Sequence, residues 1–230
     1  MMYALTAQGS KVEASPGGSA LCPCCSSPVI AKCGAINIWH WAHRKGSDCP
    51  DWHEPETAWH REWKSCAPPQ CREVTVGKHR ADVLVNGTAI EFQHSSISVD
   101  DIWNREDNYQ KLIWVVDGVM AYERHEENPN DTVGLQIEEL GAGRAKMVWF
   151  HGKKWVRECG HRVFIDLGGR GVDGLLFEIE KWWNTNTLIA DGHMVRHNKF
   201  ISNFMTPPAP AVFVSRPSPY NDFPAFKGSA

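Results

Sequence analysis

The chain has 230 residues, 42% hydrophobic and 22% charged, with a formal net charge of -3. This composition fits a globular protein of one or two domains and excludes a disordered or collagen-like chain. The near-neutral balance also excludes nucleic-acid binding by bulk charge, so any such contact needs a local patch. No apolar run approaches the ~18 residues of a membrane helix. Met1 to Ala20 lack an apolar h-region, so no secretory signal is expected. The expected location is therefore cytoplasmic, with no membrane contact. Eight Cys in a reducing compartment point to metal ligands or free thiols before disulfides.

Composition divides the chain into 1–50, rich in Cys and His, 51–118, 119–206 and a Pro-rich tail, 207–230. The first region holds Cys22-x-x-Cys25 and His40-x-x-His43, a plausible tetrahedral zinc set. Cys49 competes with His40 for the fourth place. If Ile38 to Ala42 is a strand, the two histidines face opposite ways, which favours Cys22, Cys25, His43 and Cys49, with His40 as the alternate. A closed set of four is structural. So few large apolar residues would struggle to fold without such a staple.

The second region predicts a helix over Glu54 to Ala67, where Trp59, Trp63 and Ala67 recur every four residues. Pro68–Pro69 stop it. Arg72 to Val76 alternates as a strand. Arg80 to Val85, Asn86-Gly87 and Thr88 to Gln93 predict a two-residue hairpin with a type I′ turn. Ser98 caps a helix running to about Tyr109, and Leu112 to Val116 is an apolar strand of a sheet centre. The order is α-β-β-β-α-β. Residues 119–206 read as β hairpins, and the tail as extended or disordered.

The hairpin register places the chemistry. Stepping out from the turn sets Val85 opposite Thr88, Val83 opposite Ile90 and Asp82 opposite Glu91. Arg80, Asp82, Glu91 and Gln93 then share one exposed face. Ala81, Val83, Ile90 and Phe92 share the buried one. Two facing carboxylates repel unless a cation lies between them, and hard oxygen ligands suit Mg²⁺ or Mn²⁺. Gln93 can hydrogen-bond water or a phosphate oxygen. Glu56, His60 and Lys64 form a polar stripe on the preceding helix. Glu56 is a candidate further metal or water ligand, and Lys64 a candidate source of the charge that Gln93 lacks. Arg105 and Tyr109, also four apart, could reach phosphates.

Asp82 followed by Glu91-Phe92-Gln93 resembles the PD-(D/E)XK nuclease core in its E-x-Q form. Five segments together are similar to the competence protein CoiA-like family: Cys22-Pro-Cys-Cys25, His40-Trp-Ala-His43, Trp59-His60-Arg-Glu-Trp63-Lys64, His79-Arg80-Ala-Asp82 and Ile90-Glu-Phe-Gln-His-Ser-Ser-Ile97. The resemblance implies a nuclease-like protein acting on DNA in uptake, recombination or mobile-element processing, with recombination proteins as partners. Asp82 and Glu91 would hold the metal, and Gln93 stands where a Lys is usual. Ala81 stands where the pattern has proline.

The expected architecture is α+β: an N-terminal zinc-ribbon-like module, a restriction-endonuclease-like core and a β-rich C-terminal extension. Asp82, Glu91, Gln93, Glu56, His60 and Lys64 are the candidate catalytic residues. Arg80, Ser95, Arg105 and Tyr109 are the candidate DNA contacts. Arg144 to Arg162 adds six basic residues against Glu158, with Trp149, Phe150 and Trp155 interleaved, a second candidate DNA surface or a solvated face. Two rival readings keep the fold: a non-catalytic DNA-binding accessory module for recombination, and a zinc protein that mediates protein contacts.

Overall fold

The computed structural model describes residues 1–44, 49, 56–130, 132–169, 174–183 and 186–208. The expected helix start at Glu54–Pro55 and tail residues 209–230 lie outside them.

The first module is an antiparallel sheet of five short strands: β1 (Tyr3–Leu5), β2 (Lys11–Glu13), β3 (Ser19–Leu21), β4 (Pro28–Lys32) and β5 (His40–Ala42), in the order β2-β1-β3-β4-β5. Its core is Met1, Ala4, Ala14, Ala20, Cys22, Val29 and Trp41. Three of these seven are alanines, so the apolar area is small and a cross-link has much to add.

The remainder builds one nine-stranded sheet. Helix α1 (Ala58–Ser65) begins at a capping box in which the Thr57 side chain accepts from the His60 N–H, and the His60 side chain accepts from the Thr57 N–H. A 3₁₀ turn at Pro69–Cys71 leads to β6 (Arg72–Val76), β7 (His79–Val85) and β8 (Thr88–Gln93). Helix α2 (Val99–Asn108), capped by Ser98, crosses over to β9 (Leu112–Asp117). The expected α-β-β-β-α-β order is therefore present.

The continuation differs from a set of hairpins. Helix α3 (Val119–Glu127) comes first. Its hydrophobic stripe is weak, which hid it in the sequence. Strands β10 (Leu135–Gly141), β11 (Arg144–Trp149), β12 (Arg162–Asp166), β13 (Leu175–Trp182) and β14 (Leu188–Arg196) follow, then α4 (His197–Phe200), prolonged by a π-helical turn at Ile201–Met205. The strand order is β10-β11-β14-β13-β12-β9-β8-β7-β6. β12 lies parallel to β9 and β9 parallel to β8, so the extension continues the core sheet across the boundary expected at 118.

Both sheet faces are covered. Ile113 and Val115 join Trp63, Val83, Ile90, Phe92, Phe164 and Phe200 on one side. Trp114 and Val116 join Ala81, Ala89, Ile102, Ile165 and Phe177 on the other. Alternation along a fully apolar β9 thus feeds two cores, as a central parallel strand should. Ala81 was expected beside Val83 and instead lies in the opposite cluster. Between them lies Asp82, at the point where the β6–β7 ladder passes from Arg72↔Val83 to Val74↔Ala81 around Glu73, whose φ is 46°.

Asp166, at the end of β12, fastens α1 to the sheet. It is 2% exposed. Its Oδ2 accepts from the indole nitrogens of Trp59 (2.7 Å) and Trp63 (2.8 Å), and its Oδ1 from His197 Nε2 and the Gly168 N–H, both at 2.9 Å. Burial pushes its carboxyl up, but the His197 and Gly168 hydrogen bonds outweigh this and hold it below the ordinary 3.8. A carboxyl depressed on folding stabilises above its unfolded pKa, and that stability is lost as pH falls below it. Asp166→Ala strands the buried indole N–H of Trp63 and the half-buried one of Trp59. It is expected to cost about 3–5 kcal/mol at pH 7, with the deficit shrinking below pH 4. Urea unfolding at the two pH values measures it, and a pH-independent deficit would contradict the hydrogen-bond account.

Candidate active site and metal centre

The hairpin forms as its sequence requires. Asn86 (φ 51°) and Gly87 (φ 74°) make the turn, and the ladder runs Val85↔Thr88, Leu84↔Ala89, Val83↔Ile90. It then opens. The Phe92 N–H donates to Asp82 Oδ2 at 3.0 Å, and its carbonyl accepts from His60 Nε2 at 3.1 Å. The expected Asp82–Glu91 rung is thus replaced: side chains take over the ladder groups of Phe92, and β7 parts from β8 at the candidate carboxylates.

The opening is the floor of a pocket lined by Glu56, His60, Lys64, Glu73, Arg80, Asp82, Glu91, Gln93, Arg105 and Tyr109, among others. Nine of the ten residues expected in catalysis or DNA contact line it. Ser95 does not: it is exposed, and its carbonyl accepts from Gln93 Nε2 at 3.1 Å. The face is not the exposed one expected. Arg80, Glu91 and Gln93 are buried, because α2 and the first module cover it. A cavity of about 40 Å³ remains, above the ~10–15 Å³ that one water needs.

Two basic groups organise the carboxylates. Lys64, 1% exposed, places Nζ 2.7 Å from Glu56 Oε1, 2.9 Å from Glu73 Oε1 and 3.7 Å from Asp82 Oδ1. Burial lowers its pKa, but Glu73, Asp82 and Glu56 together raise it well above the ordinary Lys value. Glu73 is also buried, and Lys64 and Arg80 hold its carboxyl well below 4.5. On the other side, Arg105 Nη1 donates to Glu91 Oε2. Burial, then the charge of Glu91, pushes the Tyr109 phenol up, so it stays a protonated donor.

Glu73 and the clasp it makes were missing from the sequence reading. REVTV alternates as an ordinary strand, and neither its left-handed Glu nor its burial has a local signal. The opposite holds for Glu56, His60 and Lys64. Their four-residue spacing forecast one polar face, and all three line the pocket.

The other site lies in the first module. Ligand atoms of Cys22, Cys25, His43 and Cys49 all fall within 4.8 Å of one another, the one such metal-donor group among the described residues. Cys22 and Cys49 Sγ are 4.0 Å apart, and Cys25 Sγ is 3.3 Å from His43 Nε2. A zinc tetrahedron with ~2.0–2.3 Å bonds has edges of about 3.3–3.8 Å, so three thiols and one imidazole, gathered within 4.8 Å, are the donor types of structural zinc at spacings slightly wider than the bound tetrahedron. His40 is outside the group, with Nδ1 2.7 Å from the Ile38 carbonyl. Burial raises the Cys25 thiol, but hydrogen bonds from Ser27, His43 and Cys49 bring it down to about 6.

Arg144 to Arg162 does not form one basic hairpin. It spans β11, a 3₁₀ turn at Lys154–Glu158 and the start of β12. Arg144 pairs with Glu180 and Arg162 with Glu178, Lys146 lies over Trp183, and Lys153 Nζ donates to the His94 and Asp117 carbonyls. The solvated-face reading describes this segment better than a free phosphate track.

A cysteine–histidine cluster spaced for a metal ion on a small sheet, followed by a mixed α+β sheet with an acidic pocket at its opened hairpin, defines a metal-binding α+β class of protein. Residues 12–51 match the family described as competence protein CoiA, N-terminal domain, and residues 74–136 match competence protein CoiA, nuclease-like domain. The two matched segments together cover less than half of the chain, and over them it is similar to this family. No curated protein and no solved structure matches it. Glu56, His60, Lys64 and Glu73 lie outside both matched segments. No helix among the described residues is long and apolar enough to cross a membrane.

Proposed function

We propose that the protein is a metal-dependent deoxyribonuclease of PD-(D/E)XK type, with a restriction-endonuclease-like core, that hydrolyses DNA phosphodiester bonds in uptake, recombination or mobile-element processing in the cytoplasm. The observation that carries the reading is the pocket at the opened hairpin, where Asp82, Glu91 and Gln93 meet Glu56, His60 and Lys64. Asp82 and Glu91 supply hard oxygen donors suited to Mg²⁺ or Mn²⁺, which is commonly held by one or two carboxylates, water and substrate phosphate. When bound, the ion lowers the pKa of a water and neutralises phosphate charge.

The chain's own groups do the rest. Lys64 offers the positive charge that Gln93 lacks, towards the side of Asp82. Glu56 orients water beside it, while His60, with Nδ1 engaged by Thr57 and Nε2 by the Phe92 carbonyl, holds the hairpin open. Gln93, Arg80, Arg105 and Tyr109 are donors for phosphate oxygens. Ser95, outside the pocket, keeps only a peripheral role. Zinc on Cys22, Cys25, His43 and Cys49 holds the first module together.

The test is cleavage of single- and double-stranded DNA with Mg²⁺ or Mn²⁺. Asp82→Ala and Glu91→Ala are each expected to lose at least about a hundredfold in rate. Equal activity in wild type and both variants would reject the assignment. The engagement of Glu91 by Arg105, together with Gln93 in the place of a Lys, favours one alternative: a DNA-binding accessory module for recombination proteins. That reading predicts salt-sensitive DNA affinity and no cleavage with any divalent metal.

A further inference from the structure

Glu73 is the one acid of the pocket to which the chemistry above gives no task. It is 3% exposed, and its backbone is left-handed at φ 46°. A non-glycine residue stays there only when its surroundings over-determine it. Those surroundings come from three directions. The Met2 N–H donates to Oε1 at 2.8 Å and the Tyr3 N–H to Oε2 at 2.9 Å, both from the first module. Lys64 Nζ donates to Oε1 at 2.9 Å from α1. Arg80 adds positive charge from β7.

The left-handed turn of Glu73 is also where the β6–β7 ladder skips Asp82. The residue that bends β6 therefore lies against the stretch of β7 that carries Asp82, and it holds the ammonium that stands 3.7 Å from Asp82 Oδ1. We propose that Glu73 is a positioning residue: it draws Lys64 back from Asp82, and the first strand of the N-terminal module locks it in that pose, so that this module is a working wall of the pocket. The inference rests on the nuclease reading for its consequence in turnover, but not for the contact itself.

The charge balance gives the mechanism of positioning. Lys64 is shared among Glu56, Glu73 and Asp82. Neutralising Glu73 leaves the ammonium to the other two, so it moves towards Asp82 and competes there with a divalent cation. Loss of folding alone would reduce the amount of active protein without changing the metal concentration needed for half-maximal rate.

The experiment uses the full chain and four proteins: wild type, Glu73→Gln, Glu73→Asp and Asp82→Asn. Cleavage is titrated with Mn²⁺, and backbone hydrogen exchange is followed in β1 and β8. For Glu73→Gln the expected result is a fivefold or larger rise in half-saturating Mn²⁺, with faster exchange at Met2 and Tyr3 and unchanged exchange in β8. Glu73→Asp, which keeps the charge, should give a smaller rise. It also keeps the question open if the Gln variant fails to fold. Wild-type Mn²⁺ dependence and exchange in both Glu73 variants, with Asp82→Asn inactive, would overturn the positioning role and leave the nuclease reading standing. An active Asp82→Asn would instead overturn the nuclease reading, and exchange at Met2 and Tyr3 would still decide the clasp.

Discussion

Lys64→Met is expected to lower the unfolding free energy by about 3–5 kcal/mol at pH 7, because it removes the counter-charge of buried carboxylates. Lys64 is fully enclosed, with Glu56 and Glu73 within 3 Å of Nζ. The sign of the pH dependence follows from both partners. A lysine raised on folding contributes fully below its unfolded value of 10.5, and that stability is lost as pH rises through the higher folded value. A glutamate depressed on folding contributes above its unfolded 4.5, and that stability is lost as pH falls through the lower folded value. The clasp is therefore strongest between those limits. In Lys64→Met the stranded acids can relieve their repulsion by taking up protons, so the deficit relative to wild type should narrow as pH falls from 7 to 4. Urea titrations at both pH values test this, and an undiminished deficit at pH 4 would mean that packing, not charge, is what Lys64 supplies.

Stripping zinc with a chelator, or Cys25→Ser, is expected to unfold the first module while the nine-stranded sheet persists. The module buries little apolar area around Trp41, whereas structural zinc contributes on the order of 10 kcal/mol or more in small zinc-dependent units. Elemental analysis should give about one zinc per chain. After chelation, amide protection should vanish over β1 to β5 and remain in β8 and β9. Protection of β1 to β5 that survives complete metal removal would contradict a structural metal. The Cys25 thiol, held at about 6 by the hydrogen bonds of Ser27, His43 and Cys49 against burial, ionises readily at neutral pH and is a prepared ligand.

Local patterns carried a large share of this architecture. Asn86-Gly87 dictates a tight turn because both residues must adopt positive φ, so β7, β8 and their register near the turn were readable. Pro68–Pro69 ends α1, Ser98 caps α2, and the apolar run of β9 announces a strand buried on both faces. Cys22-x-x-Cys25 and the choice of His43 over His40 followed from ligand spacing and strand alternation. Each of these signals acts over a few residues, within the range where backbone sterics and side-chain periodicity operate.

What only the tertiary structure decided is how the ladders end and what closes over them. The Asp82–Glu91 rung failed because His60, brought in by α1, captures the Phe92 carbonyl while Asp82 captures its N–H. The bend at Glu73 persists because Met2 and Tyr3, 71 and 70 positions away, and Lys64 of the preceding helix hold its carboxylate. The clamp of Asp166 on two indoles joins residues more than a hundred positions apart. Such contacts depend on long-range packing and desolvation, which leave no periodic trace in the chain. The amino-acid sequence therefore determined the elements up to β9 and most of the candidate groups, while folding determined which charges meet, because buried carboxylates such as Glu73 and Asp166 need partners from elements that only packing brings together.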